Sequence, residues 1–122
     1  MRQNNSISQI NSTFDNIYVV NLEKHSKKKY ITANHLSKHG INFEVFPATD
    51  GSKGEPFLAY EEYKKRHLGE LARYPQFNEL EKTRGKGFIE SAGAVGYIYT
   101  YLRVLKHAKA KGYRRILIFE DD

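Results

Sequence analysis

Ile116-Leu-Ile-Phe-Glu-Asp-Asp122 is the stretch that decides the fold. Its apolar run, Ile116 to Phe119, is long enough for one strand buried on both faces, as in a parallel sheet. Three carboxylates follow directly, those of Glu120, Asp121 and Asp122. They are expected at the carboxyl end of that strand, where open α/β sheets bind their ligands. Clustered carboxylates repel one another unless a cation neutralises them, and hard oxygen donors suit Mg²⁺ or Mn²⁺.

Working outward, a helix should precede this strand. Val95, Ile98, Tyr99, Leu102 and Leu105 recur on one helical face. Ser91 is placed to cap that helix, and Gly112 ends it among basic residues that suit its negative end. Gly93 and Gly96 lie inside the pattern, where each costs about 1 kcal/mol relative to Ala. Their presence predicts a close approach by another backbone or by phosphate.

Towards the amino end, Ile17-Tyr-Val-Val20 reads as another buried strand, ending at Asn21-Leu22. Ser26 is expected to cap a helix from Lys27 to His39, with Gly40 as its left-handed stop. Ile41 to Phe46 alternates and predicts a further strand, after which Pro47 and Asp50-Gly51 form a turn. From Ser52 to Glu90 the pattern weakens. A helix within Phe57 to Arg73, closed by Pro75, and a loop at Thr83-Arg-Gly-Lys-Gly87 read as an irregular insertion.

The order β-α-β, insertion, α-β predicts a Rossmann-like α/β fold, a parallel sheet with flanking helices spanning residues 17–122 behind a polar tail of residues 1–16. Right-handed crossovers would bring the strand ends to one edge. That edge would carry Asn21-Leu22-Glu23, Ala48-Thr-Asp-Gly51 and Glu120-Asp121-Asp122.

At 122 residues the chain provides for one small domain, and its 39% apolar content argues against disorder. The absence of cysteine excludes disulfides and thiolate metal sites. Residues 1–15 lack the apolar core of a signal peptide, and no run reaches membrane-spanning length, so a cytoplasmic chain is expected. The net charge of +6 would suit nucleic acid, anionic lipid or a phosphorylated small molecule. Lys24, Lys27, Lys28, Lys29, Lys106, Lys109 and Lys111 read first as solvated helix faces. They are dispersed and accompany no nucleic-acid motif, which makes nucleic acid the lesser expectation. The five histidines show no metal-ligand spacing.

At the acidic end two readings stand. Strand alternation gives Glu120 and Asp122 one direction and Asp121 the other. Asp122, with Glu120, would hold a divalent cation or a ribose hydroxyl; or the acidic end simply keeps the strand soluble. Asp50-Gly51 is first a turn, and Asn21 is a residue that readily bonds nearby backbone.

Three segments resemble glycosyltransferase family 25, which includes lipopolysaccharide sugar transferases and collagen galactosyltransferases. Ile17-Tyr-Val-Val-Asn-Leu-Glu-Lys-His-Ser-Lys-Lys-Lys29 is similar to the family's opening strand, Asn-Leu-Asp-Arg and basic pair. Gly40-Ile-Asn-Phe-Glu-Val-Phe-Pro-Ala-Thr-Asp-Gly51 is similar to the stretch around its Ala-x-Asp-Gly turn. Gly93-Ala-Val-Gly96, the following helix and Ile118-Phe-Glu-Asp-Asp122 resemble its Gly-Glu-Val-Gly helix and Glu-Asp-Asp strand end. Ala94 and Tyr97 stand where the family has Glu and Cys, and Thr100-Tyr101 where it has Ser-His. Lys24 and Lys28 replace arginines, keeping charge but not the bidentate fork.

The resemblance implies metal-assisted transfer of a hexose, galactose or glucose, from a UDP-sugar or similar donor to a glycan or protein hydroxyl, on a GT-A-type fold. It implies donor binding by Asn21, Leu22, Lys28, Asp50, Gly51, Thr100, Glu120 and Asp121. Mn²⁺ or Mg²⁺ would be held by Asp122 and Glu120. The family's general base comes from beyond the acidic motif, so the matched part corresponds to the front, donor-binding half. The alternatives are a non-catalytic, truncated form that binds donor nucleotide or a complementing chain, and, less favoured, a basic nucleic-acid-binding module.

Overall fold

The computed structural model describes residues 9–84 and 89–121. Among the described residues three strands, β1 (Asn16–Asn21), β2 (Glu44–Pro47) and β3 (Ile116–Glu120), form one sheet in the order β2-β1-β3. Both pairings are parallel, with Val19 opposite Val45 on one side and opposite Phe119 on the other. The helices are α1 (Ser26–Lys38), α2 (Gly54–Arg73), α3 (Pro75–Arg84) and α4 (Ala92–Lys111). The fold is α/β, a parallel sheet flanked by helices, consistent with a Rossmann-like arrangement. The chain divides into two compact units. One comprises the residues up to Ala48 and those from Thr100; the other is Thr49–Tyr99.

In the first unit the strand buried on both faces is β1, because it is the central one. Ile17, Tyr18, Val19 and Val20 are all buried. β3, expected to be buried on both faces, is half-buried from Ile116 to Phe119. It pairs only with β1 among the described residues, so it keeps an open edge. Tyr18, Val20 and Phe46 pack with Val104 and Ala108 of α4, and Tyr113, Ile116 and Ile118 complete the cluster. By alternation, Ile17, Val19 and Asn21 face the other way.

The stripe foreseen for α4 is corrected. Ile98, Leu102 and Leu105 are 48%, 52% and 54% exposed, whereas Thr100, Val104 and Ala108 are buried. These three recur every four residues, and the small or short side chains of Val104 and Ala108 leave room for the Tyr18 ring, which lies edge-on to Phe46 and His107. The Tyr18 hydroxyl lies 2.7 Å from His107 Nδ1. Of the foreseen residues, Val95 is buried. At the helix start the Ser91 hydroxyl accepts a bond from the Ala94 amide, as expected, and Gly112 ends the helix at φ 76°.

Several boundaries shift. α1 begins at Ser26 itself, with His25 at the cap and no side-chain cap bond, so Ser26 does not play the capping part expected of it. Gly40 does supply the left-handed stop, at φ 71°. β2 takes only the last part of the alternating run from Ile41. Residues 9–13, read as part of a polar tail, are helical. There the Asn11 side chain donates to the Gly40 carbonyl and accepts from the Asn42 amide.

In the second unit, the segment expected to be irregular carries α2 and α3. Pro75 closes α2 but also opens α3, as proline suits a first helical position, where no backbone N–H is required. The helix takes in Thr83 and Arg84; the rest of the foreseen loop, residues 85–87, lies outside the described residues. The two glycines of the family-like turns meet here. A Cβ on Gly96 would stand 2.7 Å from the Thr49 carbonyl oxygen, and one on Gly51 would overlap the Ala92 carbonyl. The close approach foreseen for Gly96 is therefore that of the Thr49–Gly51 backbone against the start of α4.

Candidate functional site

The carboxyl edge of the sheet in the first unit brings Asn21, Glu120 and Asp121 together. Asn21 ends β1, Glu120 ends β3, and Asp121 follows it. Asn21 is buried, at 4% exposure, and a buried amide must place its hydrogens. It donates one bond to the Asp121 carboxylate and one, at 3.0 Å, to the carbonyl of His25, which opens α1. One side chain thus joins the end of β1, the start of α1 and the acidic segment.

Glu120 Oε1 accepts a 2.7 Å bond from the Tyr101 hydroxyl on α4. The two carboxylates thus have different partners, one on β1 and one on α4. Asp122, expected to share the direction of Glu120, lies outside the described residues. Farther along the edge, Arg103 donates to the Pro47 carbonyl at 2.9 Å and lies over the Phe46 ring, 5.0 Å from its centroid. Tyr101 and Arg103 therefore fasten α4 to the ends of β3 and β2 respectively.

The other foreseen residues are placed as follows. Leu22 is half-buried and accepts the His25 amide in the turn after β1. Lys28 is exposed in the first turn of α1, and the other six lysines read as solvated faces are exposed too. Thr100 is fully buried beneath α4. Asp50 and Gly51 belong to the second unit. There the Asp50 carboxylate accepts from the Ser52 amide and hydroxyl at 2.9 and 2.6 Å, closing a local turn.

Tyr101 was missed as a partner of the acidic end, although its place in the family's Ser-His position marked it. A cavity of about 470 Å³ opens on the α1 side of β3, lined by Ile31, Thr32, His35, Leu36, Phe119 and Asp121 among others. No sequence signal pointed to it, because its walls come from segments far apart in the chain.

Glu120 and Asp121 bond to different partners, Tyr101 and Asn21, although both line the cavity. Among the described residues no group of three or more His, Asp or Glu is placed to hold a metal. The donor type nevertheless fits Mg²⁺ or Mn²⁺, since Glu120 presents hard carboxylate oxygen and Oε1 alone is taken by Tyr101. Among the described residues no helix is long and apolar enough to cross a membrane.

A parallel sheet flanked by helices, with acidic residues at its carboxyl edge, defines an α/β protein of Rossmann-like type. The family model described as glycosyltransferase family 25 (LPS biosynthesis protein) matches residues 14–122. The chain belongs to that family of glycosyltransferases. No curated protein and no solved structure matches it.

Proposed function

We propose that this chain binds a nucleotide-sugar donor, a UDP-hexose, at the carboxyl edge of its sheet and serves transfer of the hexose to a glycan or protein hydroxyl. The observation that carries the reading is the pair of carboxylates fixed at that edge, Glu120 by Tyr101 and Asp121 by Asn21. The family description, an LPS biosynthesis protein, supports a glycan as the acceptor proposed first.

Breaking the bond between the sugar and a nucleoside diphosphate leaves negative charge on the diphosphate. Glu120, with Asp122, would hold Mg²⁺ or Mn²⁺ there, and a bound divalent cation stabilises such a leaving group by its charge. Asp121 serves the donor differently, because Asn21 holds it. It is suited to accept from a ribose hydroxyl. Lys28, exposed in the first turn of α1, would add positive charge towards the phosphates.

Calorimetric titration with UDP, with and without Mn²⁺, tests the reading. Binding that needs Mn²⁺ and weakens in Asp122→Ala supports it; a folded chain that binds no UDP with Mn²⁺ rejects it.

The open edge of β3 favours a second reading, in which a further strand or a complementing chain pairs there. Sedimentation at several concentrations distinguishes self-association from a lone monomer.

A further inference from the structure

We infer that Tyr101 is a positioning residue for the donor site, acting through Glu120. The inference rests on the transferase reading above and adds a part to it. The Tyr101 hydroxyl reaches the first residue of the acidic segment at 2.7 Å. Glu120 is exposed at the end of an edge strand. Left to itself, a side chain with three rotatable bonds samples many rotamers, and a ligand must bear the entropy of ordering it. The Tyr101 bond removes part of that cost before the ligand arrives.

The clamp is itself held. Tyr101 is half-buried, it neighbours the fully buried Thr100, and α4 is fastened two residues on by Arg103 to the Pro47 carbonyl. A phenol on a fixed helix is a rigid donor with few rotamers, and supporting groups of this kind are what hold a binding carboxylate in place. The bond takes only Oε1, which leaves Oε2 able to meet a cation or a hydroxyl. Because the bond is exposed to solvent, it adds little to stability. Its consequence is therefore expected in binding rather than in folding.

The test is a double-mutant cycle on the full chain with Tyr101→Phe, Glu120→Ala and the pair together. UDP affinity in saturating Mn²⁺ is read by calorimetry, and free Mn²⁺ in the presence of UDP by electron paramagnetic resonance. Tyr101→Phe is expected to weaken UDP–Mn²⁺ binding about tenfold, the scale of one charge-assisted hydrogen bond. In the Glu120→Ala background the same change is expected to add less than about twofold, since no side-chain acceptor for the phenol remains there. Unaltered binding in Tyr101→Phe, or full additivity in the pair, overturns the inference while leaving the transferase reading intact. Loss of cooperative unfolding in Tyr101→Phe, followed by circular dichroism, also overturns it, because the phenol would then serve the fold. If the unmodified chain binds no UDP with Mn²⁺, the reading on which the inference rests has failed.

Discussion

Asn21 and Asp121, separated by 100 positions, are joined by a hydrogen bond from the amide of the one to the carboxylate of the other. The same amide holds the His25 carbonyl, so it is fully committed at the point where β1, α1 and the acidic segment meet. Asn21→Ala is expected to leave both acceptors without this donor and to destabilise the chain by about 1–3 kcal/mol. Asn21→Asp should be worse, since it sets a carboxylate against a carboxylate. Urea denaturation of the two variants checks the order.

Gly96 bears on the second unit. A methyl group there would press on the backbone of Thr49 and Gly51, which cannot swing aside as a flexible side chain would. Gly96→Ala is expected to cost about 1–3 kcal/mol, although alanine is the better helix former. A thermal midpoint raised by the substitution would refute the close contact.

The α4 face is open to a direct comparison. Val104 is fully buried beneath the helix, whereas Leu102 is more than half exposed. Val104→Ala should cost about 2 kcal/mol, and Leu102→Ala less than about 1 kcal/mol, in the same denaturation assay. The reverse order would restore the helical face that the periodicity suggested.

Asp15 predicts the acid limb of stability. Backbone N–H bonds from Arg115 and Arg114, in that order of weight, hold its carboxyl below the ordinary value of 3.8. A depressed folded-state value means that the stabilisation is complete above the unfolded value. It is lost as the pH falls through the lower, folded one. Asp15→Asn should therefore flatten stability against pH below about pH 4. An unchanged acid limb would mean that the two amides do not prefer the charged form.

Local signals were legible and long-range ones were not. The β-branched run around Val19, the left-handed stop at Gly40 and the Ser91 cap each depend on residues within a turn or two, so they could be read directly. The buried face of α4 depends on a partner. The bulk of Tyr18 in β1 selects Val104 and Ala108 against the larger apolar residues beside them. Pro75 was read as a stop, although the same lack of an N–H also suits a start. In the site, the place of Glu120 and Asp121 at a strand end followed from the apolar run before them. Their partners Asn21 and Tyr101 lie in other elements and needed the fold. The family resemblance located the acidic end, and the structure shows how two different side chains restrain it.

The strand order carries a consequence for how the chain is made. β1 meets β2 after a short loop and one helix, but its other edge meets a strand 100 residues later, next to the Asp15–Arg115 contact. Non-local pairing of this kind is slow, because the intervening chain must be closed into a loop before any contact rewards it. During synthesis, the most deeply buried of the described strands must therefore wait half-paired while Thr49–Tyr99 is completed. Its exposure in that interval makes the nascent chain, rather than the finished one, the form most prone to aggregation.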